Sequence, residues 1–193
     1  DQMQARGPDG LGEWFSDNDR VALGHRRLSI IDLSDRAAQP MRTADGRYVI
    51  SFNGEIYNYR ELRQTLEAKQ HVFRTESDTE VLLQLYAEKG ANMLPDLRGM
   101  FTFAIWDNLE RTLFLARDAF GIKPLYIAND GNTFRFASQV KALLKGDVDK
   151  SPEPAGHVGF LLWGSVPSPY TLYKSIRALP PGHSMLVSEK GVG

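Results

Sequence analysis

The 193 residues contain no cysteine, which excludes disulfides, cysteine-based zinc sites and thiol catalysis by any side chain among them. Histidine is scarce, and His25, His71, His157 and His183 are scattered without the spacing that would hold a metal. No stretch approaches the roughly 20 consecutive apolar residues that a membrane-spanning helix needs. The opening Asp1-Gln2-Met3-Gln4-Ala5-Arg6 lacks the basic and then apolar layout of a secretory signal. There is no excess of charge of either sign: 23 Lys plus Arg against 24 Asp plus Glu leave a formal net charge of −1. That balance offers no overall electrostatic reason to hold nucleic acid or an anionic membrane. Internal repeats and low-complexity tracts are also missing. What is present, 42% hydrophobic and 24% charged residues, is the composition of an ordinary globular domain, and the length suits a single one over residues 1–193. The expectation is a cytoplasmic, metal-free domain.

Periodicity divides the chain. Val21 to Gly24 leads into His25-Arg26-Arg27-Leu28-Ser29-Ile30-Ile31, and Tyr48 to Phe52 is a β-branched and aromatic run after the turn signal Asp45-Gly46. Asn53-Gly54-Glu55 should end that strand in a bend, because Asn-Gly favours positive φ. Tyr59, Leu62 and Leu66 recur at helical spacing, which predicts a short amphipathic helix over Tyr59–Lys69. Ser77-Asp78-Thr79-Glu80 reads as a capping box, with Ser77 accepting from the Glu80 amide and the Glu80 carboxylate reaching back. Val81, Leu82, Leu85 and Tyr86 then form the apolar face of a helix that Gly90 can stop.

From residue 100 the period changes to two. Met100–Asp107 and Thr112–Asp118 read as a hairpin, and Pro124–Ala128 with Thr133–Ser138 as a second. A short helix is expected over Gln139–Lys145 and a loop over Gly146–Pro154. His157–Trp163 reads as a buried helical turn or two, Pro167–Pro181 as largely extended, and Ser184–Ser188 as a closing strand. Hairpins outnumber any β-α-β alternation, so the fold class is α+β, antiparallel sheets with helices on their faces.

Three polar clusters stand at strand ends or loops: Arg26-Arg27, Asn53-Gly54-Glu55 and Ser77-Asp78. Taken singly, an arginine pair is usually a solvated edge, Asn-Gly a turn and Ser-Asp a helix cap. Together they hold what recognition of a free α-amino acid requires. A guanidinium can grip a carboxylate through two parallel hydrogen bonds. An aspartate can pair with an ammonium. An Asn amide beside a Gly amide can stabilise a developing oxyanion.

The blocks Arg6-Gly7-Pro8-Asp9-Gly10, Gly24-His25-Arg26-Arg27-Leu28-Ser29-Ile30-Ile31-Asp32 and Asn53-Gly54-Glu55-Ile56-Tyr57-Asn58 closely resemble the class II glutamine amidotransferase domain of asparagine synthetases. So do Ser77-Asp78-Thr79-Glu80-Val81, Leu97-Arg98-Gly99-Met100-Phe101, Arg117-Asp118-Ala119-Phe120-Gly121-Ile122-Lys123-Pro124-Leu125-Tyr126 and Leu179-Pro180-Pro181-Gly182-His183. The likeness runs in order along nearly the whole chain. It implies an N-terminal-nucleophile hydrolase fold, a four-layer α-β-β-α sandwich of two antiparallel sheets, and release of ammonia from glutamine.

By that resemblance Arg27 holds the glutamine α-carboxylate, and backbone groups around Leu28 and Ile30 line the pocket. Asn53 and Gly54 form the oxyanion hole, and Glu55 and Asp78 receive the α-amino group. Arg26 occupies a variable place and is expected at the surface. The Arg6-Gly7-Pro8-Asp9 loop is expected to support the nucleophile's end of the site without touching substrate. No metal or cofactor is implied here. ATP and magnesium are expected only in a C-terminal synthetase domain of the same protein, whose Gly-rich phosphate loop should follow Gly193. Partners are thus glutamine and that domain, with no nucleic acid and no membrane; a homodimer is one option for the assembly.

The family's nucleophile is a Cys at the mature N-terminus, whereas this chain starts at Asp1 and has none. Two readings follow: the sequence begins inside a longer protein, or the domain has lost its thiol and serves as a scaffold, as in β-lactam synthetase relatives. The intact set Arg27, Asn53, Gly54, Glu55 and Asp78 favours the first. Either way, the 193 residues alone are expected to release no ammonia. The acceptor could be aspartate or another acid, a sugar carboxylate of a surface polysaccharide among them. A purely structural relative would instead leave Arg27, Asn53 and Asp78 far apart in space.

Overall fold

The computed structural model of the protein describes residues 3–28, 35–188 and 191–192. In chain order the elements are β1 (Gly10–Phe15), β2 (Ala22–Arg27), β3 (Met41–Arg42), β4 (Tyr48–Ile56), α1 (Tyr59–Glu67), α2 (Asp78–Lys89), β5 (Gly99–Asp107) and β6 (Thr112–Arg117). They continue with β7 (Tyr126–Asn129), β8 (Phe134–Ala137), α3 (Val140–Leu143), α4 (Pro154–Trp163), β9 (Ile176–Ala178), β10 (Ser184–Ser188) and β11 (Gly191–Val192). Among the described residues the sheets have the orders β11-β10-β6-β5-β4-β3, β1-β2 and β8-β7-β9, with every pairing antiparallel. The expected α+β class holds.

Strict alternation in the three central strands builds the layers. Ile50, Phe52, Phe101, Phe103, Ile105 and Phe114 face one way, into a core closed by Leu66 of α1 and Val81, Leu82 and Leu85 of α2. Val49, Ala104, Trp106, Leu113 and Leu115 face the other way. They meet Trp14 and Leu23 from β1 and β2, and Ile127, Phe134 and Phe136 from β7 and β8. The opposite side of the β8-β7-β9 sheet packs Ala128 and Ile176 against Leu143, Val140 and Leu144 around α3. Helix, sheet, sheet and helix therefore stack in that order. The second sheet layer consists of two pieces, and β2 and β8 are each paired on one side only among the described residues.

Three local expectations are corrected. β4 does not bend at Asn53-Gly54-Glu55: it runs nine residues from Tyr48 to Ile56, with Asn53 opposite Thr102, Gly54 opposite Phe101 and Glu55 opposite Met100. The long pairing with β5 overrides a local turn preference. The reason for the glycine is close approach, since a Cβ on Gly54 would lie 2.2 Å from the Met100 carbonyl oxygen. The capping box also closes differently. Ser77 Oγ accepts from the Thr79 N–H at 3.1 Å, while the Glu80 carboxylate reaches past Ser77 to the backbone N–H groups of Arg74 and Thr75. Finally, α4 is not buried: only Gly156 and Gly159 along it are, and its large apolar side chains face out. β1, Gly10-Leu11-Gly12-Glu13-Trp14-Phe15, has no apolar run to announce it in the sequence.

Candidate active site

The site follows from two strand parities. In β2, Leu23 enters the core between the sheets, so His25 and Arg27 point the same way and Arg26 the other. His25 Nδ1 lies 3.4 Å from Ser51 Oγ on β4, which ties β2 to the central sheet. The preceding loop braces this strand: the Asp9 N–H donates to the Arg27 carbonyl at 3.1 Å, and a Cβ on Gly7 would sit 2.5 Å from the Arg26 carbonyl carbon. In β4, Asn53 and Glu55 share a face with Ser51, toward the second sheet layer.

The edge of β4 beyond β3 carries the second half of the arrangement. Tyr57 donates its N–H to Arg98 on the β5 side, so the N–H groups of Phe52, Gly54 and Ile56 point to the opposite edge. Gln39 Oε1 accepts the Phe52 N–H at 2.6 Å, and Asp78 Oδ2 accepts the Ile56 N–H at 3.0 Å. The Gly54 N–H lies between these two, at the wall of a cavity of about 640 Å³.

Arg27, Leu28, Asn53, Gly54, Glu55 and Asp78 all line that one cavity. Residues up to 51 positions apart are brought together, which overturns the reading of a purely structural relative. Ile30 lies outside the described residues. Arg26, expected at the surface, is half-buried and also borders the cavity. Ala5, Arg6 and Pro8 border the cavity too, so the supporting loop is part of the wall. Sequence reasoning missed Gln39 and His25. Gln39 bridges β4 and α2, its Nε2 donating to Thr79 Oγ1 at 3.3 Å. No spacing signal could have found it, because its partners are 13 and 40 residues away.

Electrostatics differ around the wall. Burial pushes the Asp78 carboxyl above its ordinary value; the N–H groups of Ile56 and Thr79 oppose the rise, and the neighbouring Glu55 carboxylate adds to it. Burial, with help from the Arg27 guanidinium, lowers His25 to about 4, so it stays neutral at physiological pH. The unfolded chain then binds the proton more readily than the folded one. Stability should be unaffected above about pH 6.5 and fall progressively as pH drops toward 4, by roughly 1–3 kcal/mol. Urea midpoints measured from pH 7.5 to 4 should lose that component in His25→Gln; an identical pH dependence in the variant would place the proton uptake elsewhere.

The other loop at the cavity is held by charge. Asp118 is buried and accepts N–H groups from Phe101, Phe120, Ile122 and Lys123, while Arg117 donates to the carbonyls of Gly121, Lys123 and Leu179. Ile122, Lys123 and Pro124 of this loop form part of the cavity wall. Among the described residues no group of histidines and carboxylates is arranged to hold a metal ion, and no helix is long and apolar enough to cross a membrane.

Comparison with known proteins identifies the family. The family model described as a glutamine amidotransferase domain matches residues 1–193. The chain is 42% identical over 186 residues to asparagine synthetase [glutamine-hydrolyzing] 1 of Bacillus subtilis, covering 96% of this chain and 29% of that protein. It is 43% identical over 195 residues to a putative asparagine synthetase [glutamine-hydrolyzing] of Mycobacterium tuberculosis, covering 93% and 29%. Among solved structures, the glutamine phosphoribosylpyrophosphate amidotransferase of B. subtilis superimposes with a TM-score of 0.63 at 26% identity, covering 89% of this chain and 34% of that one. The chain thus spans about three-tenths of the length of the curated relatives it matches. With this match along its full length, the chain belongs to the glutamine amidotransferase domain family.

Proposed function

We propose that this domain releases ammonia from glutamine within a glutamine-hydrolysing asparagine synthetase, for amidation of aspartate by a synthetase domain of the same polypeptide. The observation that supports it is the convergence of Arg27, Asn53, Gly54, Glu55 and Asp78 on one cavity. In this reading the Arg27 guanidinium takes the α-carboxylate through two hydrogen bonds. The ammonium sits against Glu55 and Asp78, and a cation there would reverse the upward shift that burial and Glu55 impose on Asp78.

The side-chain amide of glutamine then lies at the Asn53 side chain and the Gly54 N–H. A thiolate adds to its carbonyl carbon, and the oxygen gains the negative charge that the two donors stabilise. The C–N bond breaks as the nitrogen takes a proton and leaves as ammonia, and water cleaves the thioester to glutamate. The 193 residues hold no cysteine, so they do not themselves supply the thiol. ATP and magnesium belong, in this reading, to the synthetase domain.

Arg27→Lys in the full-length enzyme tests the assignment. An ammonium cannot reproduce the two-pronged geometry, and loss of one charged hydrogen bond costs about 1.5–3 kcal/mol. The Michaelis constant for glutamine should rise about tenfold to a hundredfold with little change in kcat. Unchanged glutamine kinetics would remove Arg27 from the carboxylate site.

A further inference from the structure

α4 has the composition of a core helix and the exposure of a surface one. Its ten residues, Pro154 to Trp163, include no Asp, Glu, Lys or Arg. It is well defined at both ends: the Glu153 side chain accepts from the Ala155 N–H, Pro154 opens the first turn, and Gly164 closes the last in the left-handed conformation. The residues buried along it are two glycines, Gly156 and Gly159. A Cβ on Gly156 would lie 2.0 Å from the Thr171 carbonyl oxygen, and one on Gly159 2.3 Å from Pro167 Cδ.

Opposite that glycine face, Val158, Leu161 and Leu162 form a stripe at helical spacing, with Leu161 81% and Leu162 68% exposed. Phe160 and Trp163, one turn on from Gly156 and Gly159, are exposed as well. A helix apolar all round is normally buried, and an apolar patch of this kind marks an interaction site.

We propose that this face of α4 is the docking surface for the rest of a longer polypeptide of which these residues are one domain. The proposal rests on the reading that the domain belongs to such a synthetase. The occupant is argued from length: relatives similar along nearly all of this chain extend over about three times as many residues. A covalently joined domain is present at high effective concentration, so an apolar stripe of modest area suffices to hold it. A membrane fits less well, because a helix that lies on lipid carries Lys and Arg beside its apolar face and α4 carries none. Prolonged exposure of the stripe to water would favour aggregation, which a permanently docked domain prevents.

Oxidative footprinting of the full-length polypeptide reads this directly. Leu109 is the internal standard, since it is the same residue type as Leu162 and equally exposed at 68%. Leu161 and Leu162 should be oxidised at least fivefold more slowly than Leu109, by the same factor at two protein concentrations a hundredfold apart. Equal rates at the three leucines would overturn the proposal. Protection that vanishes on dilution would assign the face to a second copy instead, and protection appearing only with phosphatidylglycerol vesicles would assign it to a membrane. Ammonia release from glutamine in the same preparation reports separately on the proposed function. Protection without ammonia release leaves the docking intact, whereas ammonia release without protection sinks the docking alone.

Discussion

Gly54→Ala should lower the thermal midpoint of the domain by roughly 6–12 °C and, in the full-length enzyme, reduce glutamine-dependent kcat about a hundredfold to a thousandfold. The structural part follows from the β4–β5 ladder. A methyl group at this position would meet the Met100 carbonyl oxygen at 2.2 Å and the Phe101 Cα at 2.7 Å. Both are backbone atoms of the paired strand, so no side-chain rotation relieves the contact. The strands must separate locally, at about 3 kcal/mol, the upper end of what overpacking usually costs. The catalytic part follows from the N–H of Gly54, which lies between two N–H groups engaged by Gln39 and Asp78 and would move with the strand. Gly24→Ala is the control for stability, since nothing lies within 4 Å of a Cβ built there. Differential scanning of both variants decides the matter: a Gly54→Ala midpoint within 2 °C of the parent would mean that the close approach constrains nothing.

Asp118→Asn should cost about 3–5 kcal/mol at pH 7, the largest single loss expected outside the hydrophobic core. The carboxylate accepts N–H groups of Phe101, Phe120, Ile122 and Lys123 at 2.9 to 3.3 Å. An amide keeps one acceptor oxygen and turns two donors toward groups that are themselves donors. Burial alone would raise the Asp118 pKa, but these N–H donors outweigh it and hold the carboxyl below its ordinary value of 3.8. The sign of the pH dependence follows. A carboxyl depressed in the folded state stabilises fully above 3.8 and loses that contribution as pH falls through the folded value. The gap in urea midpoint between parent and variant should therefore be constant above about pH 5 and narrow below 4. Equal midpoints at pH 7 would show that the loop 118–124 is held by Arg117 and packing alone.

Where local chemistry decides conformation, the sequence was legible. The Asn108–Arg111 hairpin, the alternation along Met100–Asp107 and the α2 start at Ser77-Asp78 each depend on near neighbours and came out within a residue or two. Asn53-Gly54 shows the limit. The dipeptide favours a turn locally, yet nine residues of pairing with β5 outweigh that preference, and the partner strand lies more than forty residues away. Glu80 makes the same point on a smaller scale. The sequence pattern supplied an acidic side chain at the right offset, but the chain at Arg74 and Thr75 folds close enough to take it.

The motif blocks pointed to the site residues before any geometry existed, and composition alone removed disulfides, cysteine-based zinc sites and membrane-spanning helices from consideration. Only the tertiary structure decided that Arg27 and not Arg26 faces the central sheet, that Gln39 occupies the neighbouring N–H on β4, and that α4 exposes its apolar stripe. The physical reason is common to all three. Side-chain identity sets what a group can bind, whereas which groups share a cavity depends on strand register and on contacts between segments tens of residues apart.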